Sequence, residues 1–195
     1  MKNIRVLMVL IAATMAMGTN YAQEGVHLLS EAQKAKCDRY VTNGMDACKS
    51  EKYEEAIKNY ETALNECGED FFTNNNIVQL GFSYSQTKNY DKAIEFFQKF
   101  FNRNPDSEEK IIAVSLALGA SYLGQENFNK AYEIYTNLSE GYYTIGNGKV
   151  KLKTKISKDE METIKFFKVT TDMIIKKQQE ESSQSTPQEE KSIKW

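Results

Sequence analysis

The chain has 195 residues, with 25 basic and 27 acidic side chains, a formal net charge of −2 and 11% aromatic residues. That length holds one domain with a real core, and the near balance of charge argues against a nucleic-acid partner held by a basic surface. Two prolines and ten glycines in the whole chain favour helices. The opening segment carries Lys2 and Arg5, an apolar run from Val6 to Ala16, and small residues at Gly18 and Ala22. This is the build of a secretory signal peptide over residues 1–22, cut after Ala22 or after Gly18. The run is shorter than the ~20 residues a membrane span needs, so the expectation is an exported chain, periplasmic or extracellular, with no membrane span. His27 is the only histidine; it rules out a site of two histidines on one metal and reads as a solvated surface residue.

From Ser30, a plausible N-cap, the chain reads as helical hairpins. In the first, Tyr40, Gly44 and Ala47 mark one helix and Tyr53, Ala56, Tyr60 and Ala63 the next. Asn43 stands where the later hairpins have Leu80 and Leu118, a polar residue that an end unit with one neighbour tolerates. All three cysteines, Cys37, Cys48 and Cys67, fall here. An antiparallel hairpin brings the start of its first helix beside the end of its second. The spacing therefore allows a Cys37–Cys67 disulfide with Cys48 free, the alternative being three reduced thiols. None of the spacings suits a tetrahedral zinc site.

The second hairpin, capped by Thr73 or Asn74, has Leu80-Gly81-Phe82-Ser83-Tyr84, then Tyr90, Ala93, Phe96, Phe97 and Phe100 at three- and four-residue intervals, and a stop at Pro105. Asp106 with Glu109 forms a capping-box pattern for the third. That hairpin carries Leu118-Gly119, Tyr122, Phe128, Ala131 and Tyr135, and its first helix is apolar on nearly every side, with Ile111, Ile112, Val114, Leu116 and Leu123. Something must cover it, either the C-terminal part of the chain or a bound partner. Beyond Leu138 the period changes. Residues 141–156 alternate around Gly146-Asn147-Gly148 as a β-hairpin expected to lean on the last repeat through Val150 and Leu152, its lysines Lys149, Lys151, Lys153 and Lys155 forming a solvated face. Ser157 and Glu160 open a helix over 157–179 with Met161, Ile164, Phe167, Thr171 and Ile174 on one stripe. Residues 180–195 have the composition of a disordered tail, Trp195 included.

The three hairpins are copies. Gly44, Gly81 and Gly119 lie 37 and 38 residues apart, each twelve residues before Ala56, Ala93 or Ala131, close to the period of about 34 of the tetratricopeptide repeat. On these residues the chain resembles that family, in its exported bacterial type. The phrase from Tyr90 through Pro105-Asp106-Ser107 to Leu118-Gly119 resembles repeats of periplasmic envelope-assembly and Tol-Pal-associated proteins. The resemblance implies an all-α, right-handed solenoid over 23–140, with repeats at about 37–70, 74–107 and 112–145 and a C-terminal capping helix. Its core should contain Tyr53, Ala56, Tyr60, Gly81, Tyr84, Tyr90, Ala93, Phe97, Leu118, Gly119, Tyr122, Phe128, Ala131 and Tyr135.

The resemblance also implies a concave peptide-binding groove on the first helix of each hairpin, lined by Val41, Met45, Asn75, Val78, Gln79, Phe82, Gln86, Leu116 and Leu123. Val41 and Met45 stand where chaperone-binding relatives clamp a carboxylate with lysine, asparagine and arginine. A neutral polypeptide segment is therefore the expected ligand, hydrogen-bonded by Asn75, Gln79 and Gln86 and anchored on Phe82 and Leu116. The function so implied is a non-catalytic protein-interaction scaffold of the cell envelope, without cofactor or metal. The alternative is a structural homo-oligomer or assembly component whose groove is filled by its own C-terminal helix. No phosphate-binding glycine loop is present, and the carboxylates, such as Glu54-Glu55, are placed on solvent faces, so an enzyme is not expected.

Overall fold

A computed structural model of the chain describes residues 29–103, 108–153 and 155–184. The expected signal peptide, His27, the expected stop at Pro105 and cap at Asp106, and Trp195 lie outside the described residues. The chain divides into two units, residues 1–36 and 37–195. In the first, the Gln33 amide N–H donates to Ser30 Oγ (3.3 Å) and the Ser30 N–H to Gln33 Oε1 (2.9 Å), a capping box at the start of a helix. That helix is α1 (Glu31–Lys49), followed by α2 (Tyr53–Cys67), a 3-10 turn (Glu69–Phe71), α3 (Asn74–Gln86), α4 (Tyr90–Asn102), α5 (Glu108–Gly124), α6 (Phe128–Ser139), β1 (Tyr142–Ile145), β2 (Gly148–Lys151) and α7 (Lys158–Gln184).

The second unit is a stack of helical hairpins with a small antiparallel β-hairpin. From α2 onward each helix packs on the next, α6 taking α7. The hairpins close with one turn used three times. Glu51, Lys88 and Glu126 have φ of 56°, 61° and 60°, and the N–H groups of Lys52, Asn89 and Asn127 reach back to the carbonyls of Ala47, Tyr84 and Tyr122 at 2.8–2.9 Å. This left-handed residue with a six-residue return bond satisfies carbonyls that the ending helix leaves open. Asn89 and Asn127 then cap α4 and α6, accepting from the Lys92 and Lys130 N–H groups, and Thr73 caps α3 in a reciprocal pair with Asn76.

The seam inside each hairpin is a glycine set against an aromatic ring sixteen residues on. A Cβ at Gly44 would come within 3.1 Å of the Tyr60 ring, at Gly81 within 2.7 Å of Phe97, and at Gly119 within 2.6 Å of Tyr135. At Gly81 and Gly119 only glycine allows so close an approach, while at Gly44 the ring would have to give slightly. Ala56, Ala93 and Ala131 are fully buried beside them, with Leu80, Tyr84 and Leu118. Tyr53, Tyr90, Tyr122 and Phe128 differ from expectation: they are half-buried, being at or near the helix ends that flank the hairpin turns. Between the first two repeats, Arg103 at the end of α4 donates to the carbonyls of Phe72 (2.6 Å) and Glu69 (2.8 Å), tying the 3-10 turn down.

Helix α5 is buried almost all round, as its composition demands, and the cover comes from inside the chain. Strand β1 packs on α4, α5 and α6. The Tyr143 ring stacks on Phe101 at 5.7 Å, and the buried Thr144 hydroxyl accepts from Asn137 Nδ2 at 3.1 Å. Leu152 is buried, whereas Val150 is 42% exposed, which corrects the expectation that both anchor the hairpin. Val150 pairs across from Tyr143, and the larger ring takes the contact. The terminal helix lies on α6: Ile164 and Thr171 are fully buried, and Phe167 stacks on Tyr135 at 5.3 Å. It does not fill the face made by α1, α3 and α5. It also runs on to Gln184, so residues 180–184, assigned above to a disordered tail, are helical.

Candidate functional site

Helices α1, α3 and α5 each turn one face away from the seam, and the residues expected to line a groove fall there. Val41, Met45, Asn75, Val78, Gln79, Phe82, Leu116 and Leu123 are half-buried and Gln86 is exposed. Val41, Met45, Val78, Phe82 and Leu116 pack their inner sides on the core. Their outer sides form an apolar row at matching positions of successive helices. Cys48, Lys49, Tyr53, Gln79, Phe82, Ser83 and Gln86 line a cleft of about 310 Å³ between α1 and α3. It brings together Gln79, Phe82 and Gln86, and does not reach Leu116 or Leu123.

The walls of the cleft are held from behind. Phe82 meets Phe97 edge-on at 5.3 Å. Ser83 Oγ donates to the Gln79 carbonyl (2.9 Å) and lies 3.1 Å from Cys48 Sγ. The Tyr60 hydroxyl donates to Gln79 Oε1. Burial, reinforced by the neighbouring Cys48, pushes the Tyr60 pKa well above the usual phenol range, so it remains a neutral donor. Gln79 is therefore partly committed, and only its amide NH₂ is left for a ligand. Cys48 is the free thiol. Cys37 and Cys67 are joined in a disulfide, with Cα atoms 6.2 Å apart, which fixes α1 at Cys37 against the end of α2.

One part of this face was missed in the sequence. Ser83 Oγ on α3, Ser121 Oγ on α5 and Thr171 Oγ1 on α7 each donate to the carbonyl four residues back, at 2.9, 2.9 and 2.7 Å, and all three residues are fully buried. Aligned on this bond, α7 occupies the place of a further first helix. Phe167 then stands where Gln79 does, and each contacts the tyrosine of the preceding hairpin. The same alignment puts Phe166 in the row of Val78 and Leu116, and Met173 in the row of Leu123. Phe166 and Met173 are 66% and 65% exposed. The serine-threonine register is the signal that could have found them.

Among the described residues no group of three His, Cys, Asp or Glu side chains could hold a metal ion, and no helix is long and apolar enough to cross a membrane. Compared with known proteins, the chain matches the family profile "Tetratricopeptide repeat" over residues 76–107. No curated protein matches it. Among solved structures it is similar to the Sgt2 TPR domain from Aspergillus fumigatus, at 20% identity and a TM-score of 0.49, over 82% of this chain and 89% of that one.

Proposed function

Since the chain is a tetratricopeptide-repeat protein, we propose that it is a non-catalytic scaffold of the cell envelope that holds a polypeptide segment on the face of α1, α3, α5 and α7. Repeat folds of this kind present extended surfaces whose specificity lies in surface side chains. The observation that carries the reading is the apolar row Val41, Val78, Leu116 and Phe166, with the Gln79 amide and exposed Gln86 beside the cleft. Apolar anchors supply most of the binding energy, and side-chain amides pair with a peptide backbone. Among the residues lining the cleft the one cation, Lys49, is paired with Asp46 at 3.1 Å, so the favoured ligand is a neutral segment. Export is supported by the composition of the first 22 residues and by the Cys37–Cys67 disulfide, a bond that persists in oxidising compartments.

Cross-linking in the intact envelope tests this, comparing wild type with Phe82→Ala plus Gln86→Ala. Gln86 is the better choice than Gln79, whose loss would strand the Tyr60 hydroxyl. The expected result is loss of one specific adduct with the fold unchanged by circular dichroism; an adduct profile identical to wild type refutes the groove.

A further inference from the structure

A second cleft, of about 630 Å³, lies at the junction of the β-hairpin with α7 and is lined from the end of α6, from β2 and its following linker, and from the first turns of α7. Its floor is apolar: Leu152 and Ile156 are buried and Met161 is half-buried. Its rim is cationic. The alternating lysines of the β-hairpin divide here, Lys149 turning to Glu140 at 3.7 Å and to the Tyr142 ring at 4.7 Å. Lys151 and Lys155 join Lys158 and Lys165 of α7 around the opening.

Four rim lysines thus face two carboxylates, Glu140 and Glu162, and both are engaged, Glu140 by Lys149 and Glu162 by Lys158 at 3.9 Å. Among the described residues, Lys151, Lys155 and Lys165 have no carboxylate at ion-pair distance, although the chain as a whole is net acidic. The frame is built: the Leu152 N–H donates to the Gly141 carbonyl at 2.8 Å, Lys168 reaches Ser139 Oγ at 3.4 Å, and Ser157 with Glu160 caps α7.

We propose that this cleft is a second binding site, separate from the groove, for an acidic peptide segment carrying one apolar side chain between its carboxylates. The apolar side chain would cover Leu152, Ile156 and Met161, and the flanking carboxylates would meet Lys151, Lys155 and Lys165. The lysines come from three segments around the rim and do not converge on one point, which suits charges spread along a chain better than a single small anion. The cleft is open to solvent, so an acyl chain laid in it would stay wet.

The test uses the full chain and fluorescence anisotropy with a dye-labelled peptide of glutamates flanking one phenylalanine. Wild type and the groove variant Phe82→Ala plus Gln86→Ala are expected to bind alike, and more weakly as salt rises, since exposed charges are screened. Lys151→Gln plus Lys165→Gln, both exposed positions, should weaken binding roughly tenfold with an unchanged melting temperature, because two charge-assisted contacts are lost. Met161→Ser should weaken it while keeping the salt dependence. Absence of binding by wild type at low salt, indifference to the lysine pair, or binding to anionic phospholipid vesicles in place of the peptide would each overturn the proposal.

Discussion

Helix α1 of the first hairpin buries Cys37, Gly44 and Ala47, whereas α3 of the central hairpin buries Asn76, Ile77, Leu80, Gly81, Ser83 and Tyr84. The two helices occupy the same place in their hairpins and turn the same face away from the seam. They differ because α3 has packed neighbours on both sides, while α1 is the first helix of the described repeats and, apart from Tyr40, Val41 and Met45, is mostly polar outside its seam. In a repeat stack, stability is close to a sum of nearest-neighbour terms. The end unit therefore lacks one such term, and a disulfide between Cys37 and Cys67 stands in its place. The proposed groove is thus held by packed aromatic rings in the middle and by a covalent bond at one edge.

The contrast can be broken from either side. The largest effect is expected at the centre: Phe97→Ala removes the fully buried ring that fills the space left by Gly81, at a cost of about 3–5 kcal/mol in denaturant unfolding. Reduction of Cys37–Cys67, which closes a sequence separation of 30, should cost about 2–4 kcal/mol. In limited proteolysis the new cuts should fall in α1 and α2 and spare α3 and α4; cuts spread evenly would mean that the staple supports the whole stack.

Smaller effects separate the first hairpin from the third. The Tyr60 hydroxyl has a partner in Gln79, whereas the Tyr135 hydroxyl is buried with no partner, because Phe167 stands where Gln79 would. Tyr60→Phe should therefore cost about 0.5–1.5 kcal/mol, and Tyr135→Phe should be neutral or stabilising. Equal losses in thermal melts would contradict the register of α7. The least effect is electrostatic. Glu61 is held below the usual carboxylate range by the Tyr84 hydroxyl and by Lys92, and Glu69 by Lys99 and Arg103. A depressed folded-state pKa gives stability that is present above the ordinary value of 4.5 and lost as pH falls through the lower, folded value. Both carboxylate side chains are a little over two-fifths exposed and so partly screened by solvent, and the melting temperature should drop only slightly more in wild type than in Glu61→Gln plus Glu69→Gln on acidification below that value.

The repeat seams were legible because they are written locally. Glycine, alanine and an aromatic ring recur at fixed offsets, and each lands against its own partner helix. How β1 seats on α4, α5 and α6 was not legible, since Tyr143 on Phe101 of α4 and Thr144 under Asn137 of α6 are non-local choices, and alternation alone cannot tell which face of a short β-hairpin is turned inward. The same limit hid Phe166 and Met173. Their helix lacks the glycine that marks the other first helices, with Val169 in its place, 57% exposed where the other hairpins have a second helix to meet. Gln79 was placed on the right face, but its bond to Tyr60 came from the neighbouring hairpin and changed what it can offer a ligand.

Whether a polypeptide lies along the face of α1, α3, α5 and α7 can be read from a photo-cross-linking residue placed singly at Gln86 and at Phe166, with Glu54 and Glu95 on second helices as controls. All four positions are exposed, so the label leaves packing intact. Gln86 and Phe166 are expected to trap the same polypeptide, at neighbouring stretches of its sequence when the adducts are mapped by mass spectrometry, and Glu54 and Glu95 are not. Adducts of equal yield from all four positions, or unrelated polypeptides at Gln86 and Phe166, would contradict it.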